Sequence, residues 1–213
     1  MYFWFLVCLL GIFIAIPIHF FSVEHLKLEI KYGNKKGTEI GKILGLISGW
    51  SFFLFWMGIW FTPQPRFVLP FLRNPITFIP IVNFSIPLFN LIISIIFILL
   101  GTWFGISGVK QTTLKVAETH RTEKIVTTGV YSIIRHPQYF GGLLSHLGIT
   151  FLLSAWYSLL FTPVIVVLVY LISKKEEKEL INEFGINYRN YEKEVPMFIP
   201  RIHAKRKKRG SLT

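Results

Sequence analysis

Four long stretches of this chain contain no lysine, arginine, aspartate or glutamate. Soluble domains carry about 25% charged residues spread over their exposed faces, whereas charged residues make up 16% of these 213 residues and apolar residues 52%. The 23 basic and 11 acidic side chains are confined to islands between the stretches. This pattern excludes a disordered chain, disfavours a water-soluble enzyme and predicts an integral membrane protein. The charge-free stretches are residues 1–23, 43–65, 74–109 and 136–173.

The apolar stretches predict an all-α fold with about five transmembrane helices. A helix needs about 20 apolar residues to cross the bilayer core. The last charge-free stretch would be about 57 Å long as one helix, so we expect it to turn between Ser154 and Pro163 and form a helical hairpin. Six prolines at 63–87 predict a loop with short interfacial pieces. The predicted spans are residues 2–21, 43–61, 86–106, 138–153 and 158–173.

The basic residues predict how these spans are oriented. With five spans, segments 22–42, 107–135 and 174–213 lie on one side, and they hold 21 of the 23 Lys and Arg residues. Because cytoplasmic segments are enriched in Lys and Arg, we expect the C-terminus in the cytoplasm and the N-terminus outside. The first span lacks a positively charged start and a small-residue cleavage site, so we expect an uncleaved anchor.

The same pattern divides the chain into three regions. Residues 1–106 hold the first three spans, 107–202 hold the richest polar islands, and 203–213 form a basic tail whose KRKKR run predicts contact with anionic lipid. Membrane topology accounts for the positive charge, so we expect no nucleic-acid partner. Cys8 is the only cysteine, and we predict no metal site.

One polar island, residues 123–142, predicts a helix start at the membrane surface. Pro137 suits the first position of a helix, where its missing N–H has no cost, and His136 would then be the cap. The unpaired N–H groups at a helix start favour an anion, and Arg135 and His136 add donors beside it. The alternative is that Arg135 is a snorkelling anchor and Tyr139 an interfacial aromatic residue.

The next polar island follows the last predicted span. Leu180, Ile181 and Phe184 recur at helical spacing and Gly185 follows them, which predicts that the last helix continues out of the membrane and ends at this glycine. The helix would form an amphipathic cytoplasmic segment. After it, we expect the segment with Tyr188, Tyr191, Pro196 and Pro200 to bring the chain back along the surface in an extended form.

The hairpin brings these two islands together. Glu176 and Glu177 lie in the first turn beyond the last span, and the other end of the hairpin carries Arg135 and His136. One end therefore offers donors to an anion and the other offers carboxylates to a cation, which would suit a small zwitterion. The alternative for the carboxylates is an ordinary solvated run of charges.

Four ordered motifs in this region resemble the isoprenylcysteine carboxyl methyltransferases and the related membrane methyltransferases of phospholipids and small thiols. The resemblance covers residues 123–202. The motifs are TTGVYSIIRHPQYFGG at 127–142, EExxL at 176–180, FGxxYxxY at 184–191 and VPxxIP at 195–200.

The resemblance implies a multi-pass membrane enzyme that uses S-adenosylmethionine, a zwitterion at its methionine end. Isoprenylcysteine enzymes carry an arginine one helical turn before the second motif, and Ile172 takes that position here. The residues that the resemblance assigns to the cofactor are Lys124, Ile125, Val126, Tyr131, His136, Pro137, Gln138, Tyr139 and Glu176.

We expect a lipophilic acceptor that enters from the bilayer, and no catalytic base is singled out. A carboxylate acceptor needs none, and the lack of a clear base favours a carboxylate or a thiol acceptor over an amine. Candidate acceptor contacts are Arg135, Lys174, Glu177 and the intramembrane His146, which alternatively bonds to a neighbouring helix.

Two other classes of function remain open. Membrane sterol reductases, which use NADPH, have a similar pattern near their C-terminus. The non-catalytic alternative is a small membrane protein whose basic tail binds lipid.

Overall fold

A computed structural model describes residues 3–69, 75–79, 84–112 and 124–200. The basic tail predicted to contact lipid lies outside these residues. The described chain forms seven α-helices, one short hairpin of two antiparallel strands, and a 3-10 turn at Gly129–Ser132. The elements are α1 (Phe3–Ser22), α2 (His25–Tyr32), α3 (Asn34–Phe61), β1 (Ile76–Ile79), β2 (Phe84–Pro87), α4 (Leu88–Thr112), α5 (Pro137–Leu152), α6 (Trp156–Phe184) and α7 (Ile186–Glu194).

The predicted all-α membrane fold is confirmed. Among the described residues, α1, α3, α4 and α6 are long and apolar enough to cross a membrane. The other predicted span is α5, whose 16 residues extend about 24 Å. The total number of crossings and the side of each end stay predictions.

The helical hairpin is also confirmed. Its two arms, α5 and α6, are separated only by Leu153–Ala155, at the early edge of the predicted turn. The turn is fastened to the segment that follows α3, because Phe67 N–H donates to Ser154 O at 2.9 Å and Trp156 N–H donates to Pro65 O at 3.1 Å.

Glycines let α4 and α5 approach until their backbones touch. A Cβ added at Gly141 of α5 would lie 2.6 Å from Gly105 N and 2.7 Å from Gly101 O, both on α4. Small residues at such crossings allow the close packing that joins helices in membranes. The contact fixes the start of α5, where the predicted site begins.

A separate cluster of buried side chains joins the N-terminal helices to the hairpin. Ile12 of α1, Ile59 of α3 and Ile165 of α6 are fully buried there. Helices α1 and α3 therefore pack directly on α6, the second arm of the hairpin.

Residues 22–42 connect the first two predicted spans and are mostly helical. They contain α2 and the first turns of α3. Leu28 is fully buried, and a Cβ at Gly37 would lie 2.5 Å from Leu28 O. A glycine on α3 therefore allows α2 to pack against it, and burial of Leu28 stabilises this short helix.

The extended form predicted from Tyr188 is wrong as far as Glu194, because these residues belong to α7. The predicted end of α6 at Gly185 is confirmed: its φ is +55°, a region that glycine enters without strain, and the chain reverses there. Tyr188 and Tyr191 are buried on one face of α7. This aromatic face explains why a short polar segment is helical.

Candidate functional site

The start of α5 has the predicted arrangement, with His136 as the N-cap and Pro137 in the first turn. The segment after α7 passes beside it. Arg135 N–H donates to Pro196 O at 2.9 Å and His136 N–H donates to Met197 O at 3.2 Å. The VPxxIP motif therefore holds the residues just before the helix by their backbone.

Arg135 and Glu177 form a buried ion pair that connects three parts of the fold. Arg135 Nε donates to Glu177 Oε1 at 2.7 Å, and its Nη1 donates to Glu192 O at 2.8 Å and Val195 O at 2.6 Å. The side chains of Arg135 and Glu177 are 6% and 2% exposed. These contacts favour a bracing role for both residues over the predicted contact with an acceptor.

The charge of Glu177 is stabilised by its neighbours. The apolar run of α6 ends at Ser173, so Glu177 lies one turn beyond it. Burial alone raises the pKa of this carboxyl, but hydrogen bonds and charges of His136 and Arg135 outweigh it and lower the pKa to about 2. Glu177 is therefore ionised at neutral pH, and His136 Nε2 lies 3.2 Å from its Oε1.

Glu176 lies on the other side of His136 and faces the candidate cofactor site. Its side chain is 14% exposed, and its Oε2 lies 3.8 Å from His136 Nδ1. The hydroxyl of Tyr139 donates a short hydrogen bond to Glu176 Oε1. The carboxylate is thus fixed in position while part of it stays accessible.

Gln138 is also fixed. Its Nε2 donates to Thr112 Oγ1 at 2.8 Å and to the hydroxyl of Tyr131 at 3.1 Å. Tyr191, on α7, donates from its hydroxyl to Tyr131 O at 2.7 Å. The 3-10 turn, α4, α5 and α7 are therefore linked around one space.

This space is a cavity of about 140 Å³. Of the nine residues predicted to hold the cofactor, eight line it, and the ninth, Pro137, begins the adjoining helix. The resemblance did not assign the five further lining residues to the cofactor. Two of them, Tyr188 and Tyr191, belong to the FGxxYxxY motif, whereas nothing in the sequence singles out Thr112. The lining residues are Thr112, Lys124, Ile125, Val126, Tyr131, Arg135, His136, Gln138, Tyr139, Glu176, Leu180, Tyr188 and Tyr191.

A second, apolar cavity of about 370 Å³ adjoins the first, because Gln138 and Tyr139 line both. Helices α1, α3, α5 and α6 form its walls, and Ile172 is one of the wall residues. The complete lining is Ile16, His19, Gly45, Leu46, Gly49, Trp50, Phe52, Phe53, Trp56, Gln138, Tyr139, Gly142, Val169 and Ile172.

The remaining two predicted acceptor contacts lie outside both cavities. His146 is fully buried; its Nδ1 accepts from Trp56 Nε1 at 2.8 Å and Trp60 Nε1 at 2.9 Å, and its Nε2 lies 3.1 Å from Thr162 Oγ1. These contacts favour the alternative of a histidine bonded to neighbouring helices. Lys174 is 45% exposed and lies 3.4 Å from Glu177 Oε2.

Comparison with known proteins finds a family that matches this region. The model of the phospholipid methyltransferase family matches residues 89–186, which run from α4 to the first residue of α7. This region of the chain is therefore similar to the membrane methyltransferases that its motifs resemble.

Curated relatives are named for two kinds of acceptor. Methanethiol S-methyltransferase 2 of Bradyrhizobium diazoefficiens is 30% identical over 112 residues, covering 49% of this chain and 40% of that protein. Protein-S-isoprenylcysteine O-methyltransferase of Schizosaccharomyces pombe is 32% identical over 112 residues, covering 50% and 48%. Methanethiol S-methyltransferase of Crocosphaera subtropica is 33% identical over 103 residues, covering 48% and 40%.

The matched part of the chain thus spans less than half the length of these relatives. No solved structure matches the chain.

Proposed function

We propose that this protein is an S-adenosylmethionine-dependent methyltransferase that methylates a lipophilic acceptor. The observation that carries the proposal is the pair of adjoining cavities, one polar and one apolar, with Gln138 and Tyr139 as their common wall. The family match and the names of the relatives support it.

The residues of the smaller cavity fit both the charged methionine part and the nucleoside part of this cofactor. Glu176 would bind the ammonium group of the methionine part, and His136 and Gln138 would donate to its carboxylate. The side chains of Tyr188 and Leu180 would pack against the nucleoside. Lys124, Ile125, Val126 and Tyr131 complete the wall on the side of the 3-10 turn.

When bound, the cofactor supplies an electrophilic methyl group on a sulfonium. Transfer of such a group is an in-line displacement, so alignment and exclusion of water provide most of the acceleration. The hydrogen bonds of Gln138 and Tyr139 hold both side chains at the boundary between the cavities. These two residues would therefore orient the reacting ends of cofactor and acceptor.

Two acceptor chemistries are compatible with this proposal. A carboxylate, as in the isoprenylcysteine enzymes, is already ionised at neutral pH and needs no base. A thiol, as in the relatives named for methanethiol, has to lose a proton. The distribution of basic residues supports entry of the cofactor from the cytoplasm and of the acceptor from the bilayer.

Calorimetric titration of detergent-purified full-length protein with S-adenosylmethionine and with NADPH tests the proposal. We expect saturable binding of S-adenosylmethionine and none of NADPH. Binding of NADPH alone would favour the reductase alternative and contradict the proposal. Transfer of a labelled methyl group to a lipid extract would then identify the acceptor fraction.

A further inference from the structure

We propose that α2 lies in the membrane interface on the side of the smaller cavity and that it binds anionic phospholipid there. The helix is the eight-residue segment His25–Tyr32. It connects α1 and α3, both of which are long and apolar enough to cross a membrane. Because α1 ends at Ser22 and α3 begins at Asn34, the connection is short and holds α2 close to the bilayer surface.

One ion pair shows on which side of the membrane α2 lies. Glu24, the residue before the helix, accepts a hydrogen bond from Lys175 Nζ at 2.8 Å. Lys175 follows the apolar run of α6 and directly precedes Glu176, which lines the smaller cavity. α2 and this cavity therefore lie on one side. The distribution of basic residues predicts that this side is cytoplasmic, and the cytoplasmic leaflet is the one that carries anionic lipid.

One face of α2 packs on α3, and another face is apolar and exposed. The packed face carries Leu28, which is fully buried, and Glu29, whose Oε1 accepts from Thr38 Oγ1 at 3.0 Å. Leu26 and Ile30 lie one turn apart, and they are 53% and 77% exposed. At about 3.6 residues per turn, their common face lies roughly 130° around the helix from the packed face. It is therefore directed away from α3.

Lysines border the exposed apolar face. Lys27 and Lys31 each follow one of its two residues in the sequence, which places them roughly 100° further around the helix. Both are exposed, as are Lys35 and Lys36 in the first turn of α3. A helix whose apolar face is bordered by basic residues is typical of segments that lie in the plane of a membrane interface.

Most acidic residues near α2 are engaged with the protein itself. The carboxylate of Glu24 contacts Lys175 at 2.8 Å and Lys27 at 3.1 Å, and Glu29 is partly buried against α3. The exposed surface is therefore mainly cationic and complements an anionic headgroup. Of the charged residues from 25 to 39, the exposed ones are Lys27, Lys31, Lys35, Lys36 and Glu39.

A lipid leaflet accounts for both the apolar face and the lysines. In water, Leu26 and Ile30 would keep most of their apolar surface solvated, which is unfavourable. Insertion into the boundary between headgroups and acyl chains covers them, and lysine side chains reach the phosphates from the edges of such a helix. A soluble partner suits the surface less well, because a short segment held between two membrane helices already lies next to lipid.

The lysines should give this site a preference for anionic over zwitterionic lipid. A basic residue near an anionic surface strengthens the attraction about fivefold. Because Glu24 neutralises part of the charge of Lys27, we expect Lys27 and Lys31 together to enrich anionic lipid about fivefold or more. The enrichment should fall at high salt, which screens interactions between exposed charges.

The test places an environment-sensitive fluorescent amino acid at position 30 of the full-length protein, in vesicles of phosphatidylcholine and phosphatidylglycerol. Equal amounts of a spin-labelled analogue of one lipid or the other are added as quenchers. We expect both analogues to quench the fluorescence, with a quenching constant about fivefold larger for the phosphatidylglycerol analogue at low salt. At about 1 M salt, most of this difference should disappear.

Matched double variants identify the lysines responsible. Lys27→Gln combined with Lys31→Gln should bring the two quenching constants close to equality. Lys178→Gln combined with Lys193→Gln is the control, because it removes the same charge from exposed positions on α6 and α7. We expect the control to keep the preference of the wild-type protein.

Quenching by neither analogue would show that α2 lies outside the interface and would overturn the proposal. Equal quenching by the two analogues in the wild-type protein, or an equal loss of preference in the two double variants, would overturn it as well. If the probe at position 30 prevents folding, the same probe in place of Leu26 repeats the measurement. The experiment contains neither cofactor nor acceptor, so its outcome is independent of the proposed methyltransferase function.

Discussion

Replacement of Arg135 by methionine should destabilise the folded protein strongly. The change removes the hydrogen bonds from Arg135 to Glu177 Oε1, Glu192 O and Val195 O. It also leaves the carboxylate of Glu177, which is 2% exposed, without one of its two buried ionic partners. Removal of one partner of a buried ion pair costs about 3–5 kcal/mol, and we expect a loss in this range.

The lowered pKa of Glu177 gives a magnitude for the stabilisation that His136 and Arg135 provide together. It falls from an ordinary value of about 4.5 to about 2 in the folded protein, which corresponds to about 3.5 kcal/mol at 1.4 kcal/mol per pH unit. Because the folded-state pKa is the lower one, this stabilisation is present above about pH 4.5 and disappears as the pH falls towards 2. The wild-type protein should therefore lose stability in that interval, and the Arg135→Met variant should lose less, although His136 still lowers the pKa of Glu177.

The free energy of unfolding in mixed detergent micelles, measured by titration with a denaturing detergent, checks both statements. Arg189→Met is the matched control, because it makes the same change on the exposed side of α7. Equal unfolding free energies for the two variants, or an unchanged pH dependence in Arg135→Met, would refute the bracing role of the ion pair.

Three further substitutions test the packing that supports the site, each by the same unfolding titration. Gly141→Val should lower stability by about 2 kcal/mol or more, because a Cβ there meets the α4 backbone at 2.6 Å; a neutral effect would contradict the close approach. Gly185→Ala should lower it by about 1 kcal/mol, because φ is +55°. His146→Leu removes the acceptor of Trp56 and Trp60 and should lower it by about 2 kcal/mol without changing cofactor affinity; weaker cofactor binding would contradict a purely structural role.

The sequence predicts the membrane helices because a charge-free stretch in lipid has few structures other than a helix in which its backbone N–H and C=O groups are hydrogen-bonded. It also predicts where the first arm of the hairpin begins and where the second arm ends. Pro137 and Gly185 mark these two points through their own backbone geometry. These signals are local, so they do not depend on how the rest of the chain packs.

The features that the sequence did not predict depend on contacts between distant residues. α7 is short and polar, and its helical form depends on Tyr188 and Tyr191 packing against other elements. Arg135 and Glu177 have the residue types of a binding site, and only their mutual distance of 2.7 Å shows that they neutralise each other. The apolar cavity depends on the packing of α1 and α3, which lie outside the family match.

Affinity for S-adenosylmethionine in the Glu176→Gln variant tests the central claim most directly. Loss of a charge-assisted contact of about 2 kcal/mol weakens binding about thirtyfold, and we expect a change of this size by calorimetry. Glu179→Gln is the control, because it removes the same charge from the same helix outside the cavity wall. A Kd unchanged in Glu176→Gln, or weakened equally in both variants, would contradict a cofactor site at Glu176.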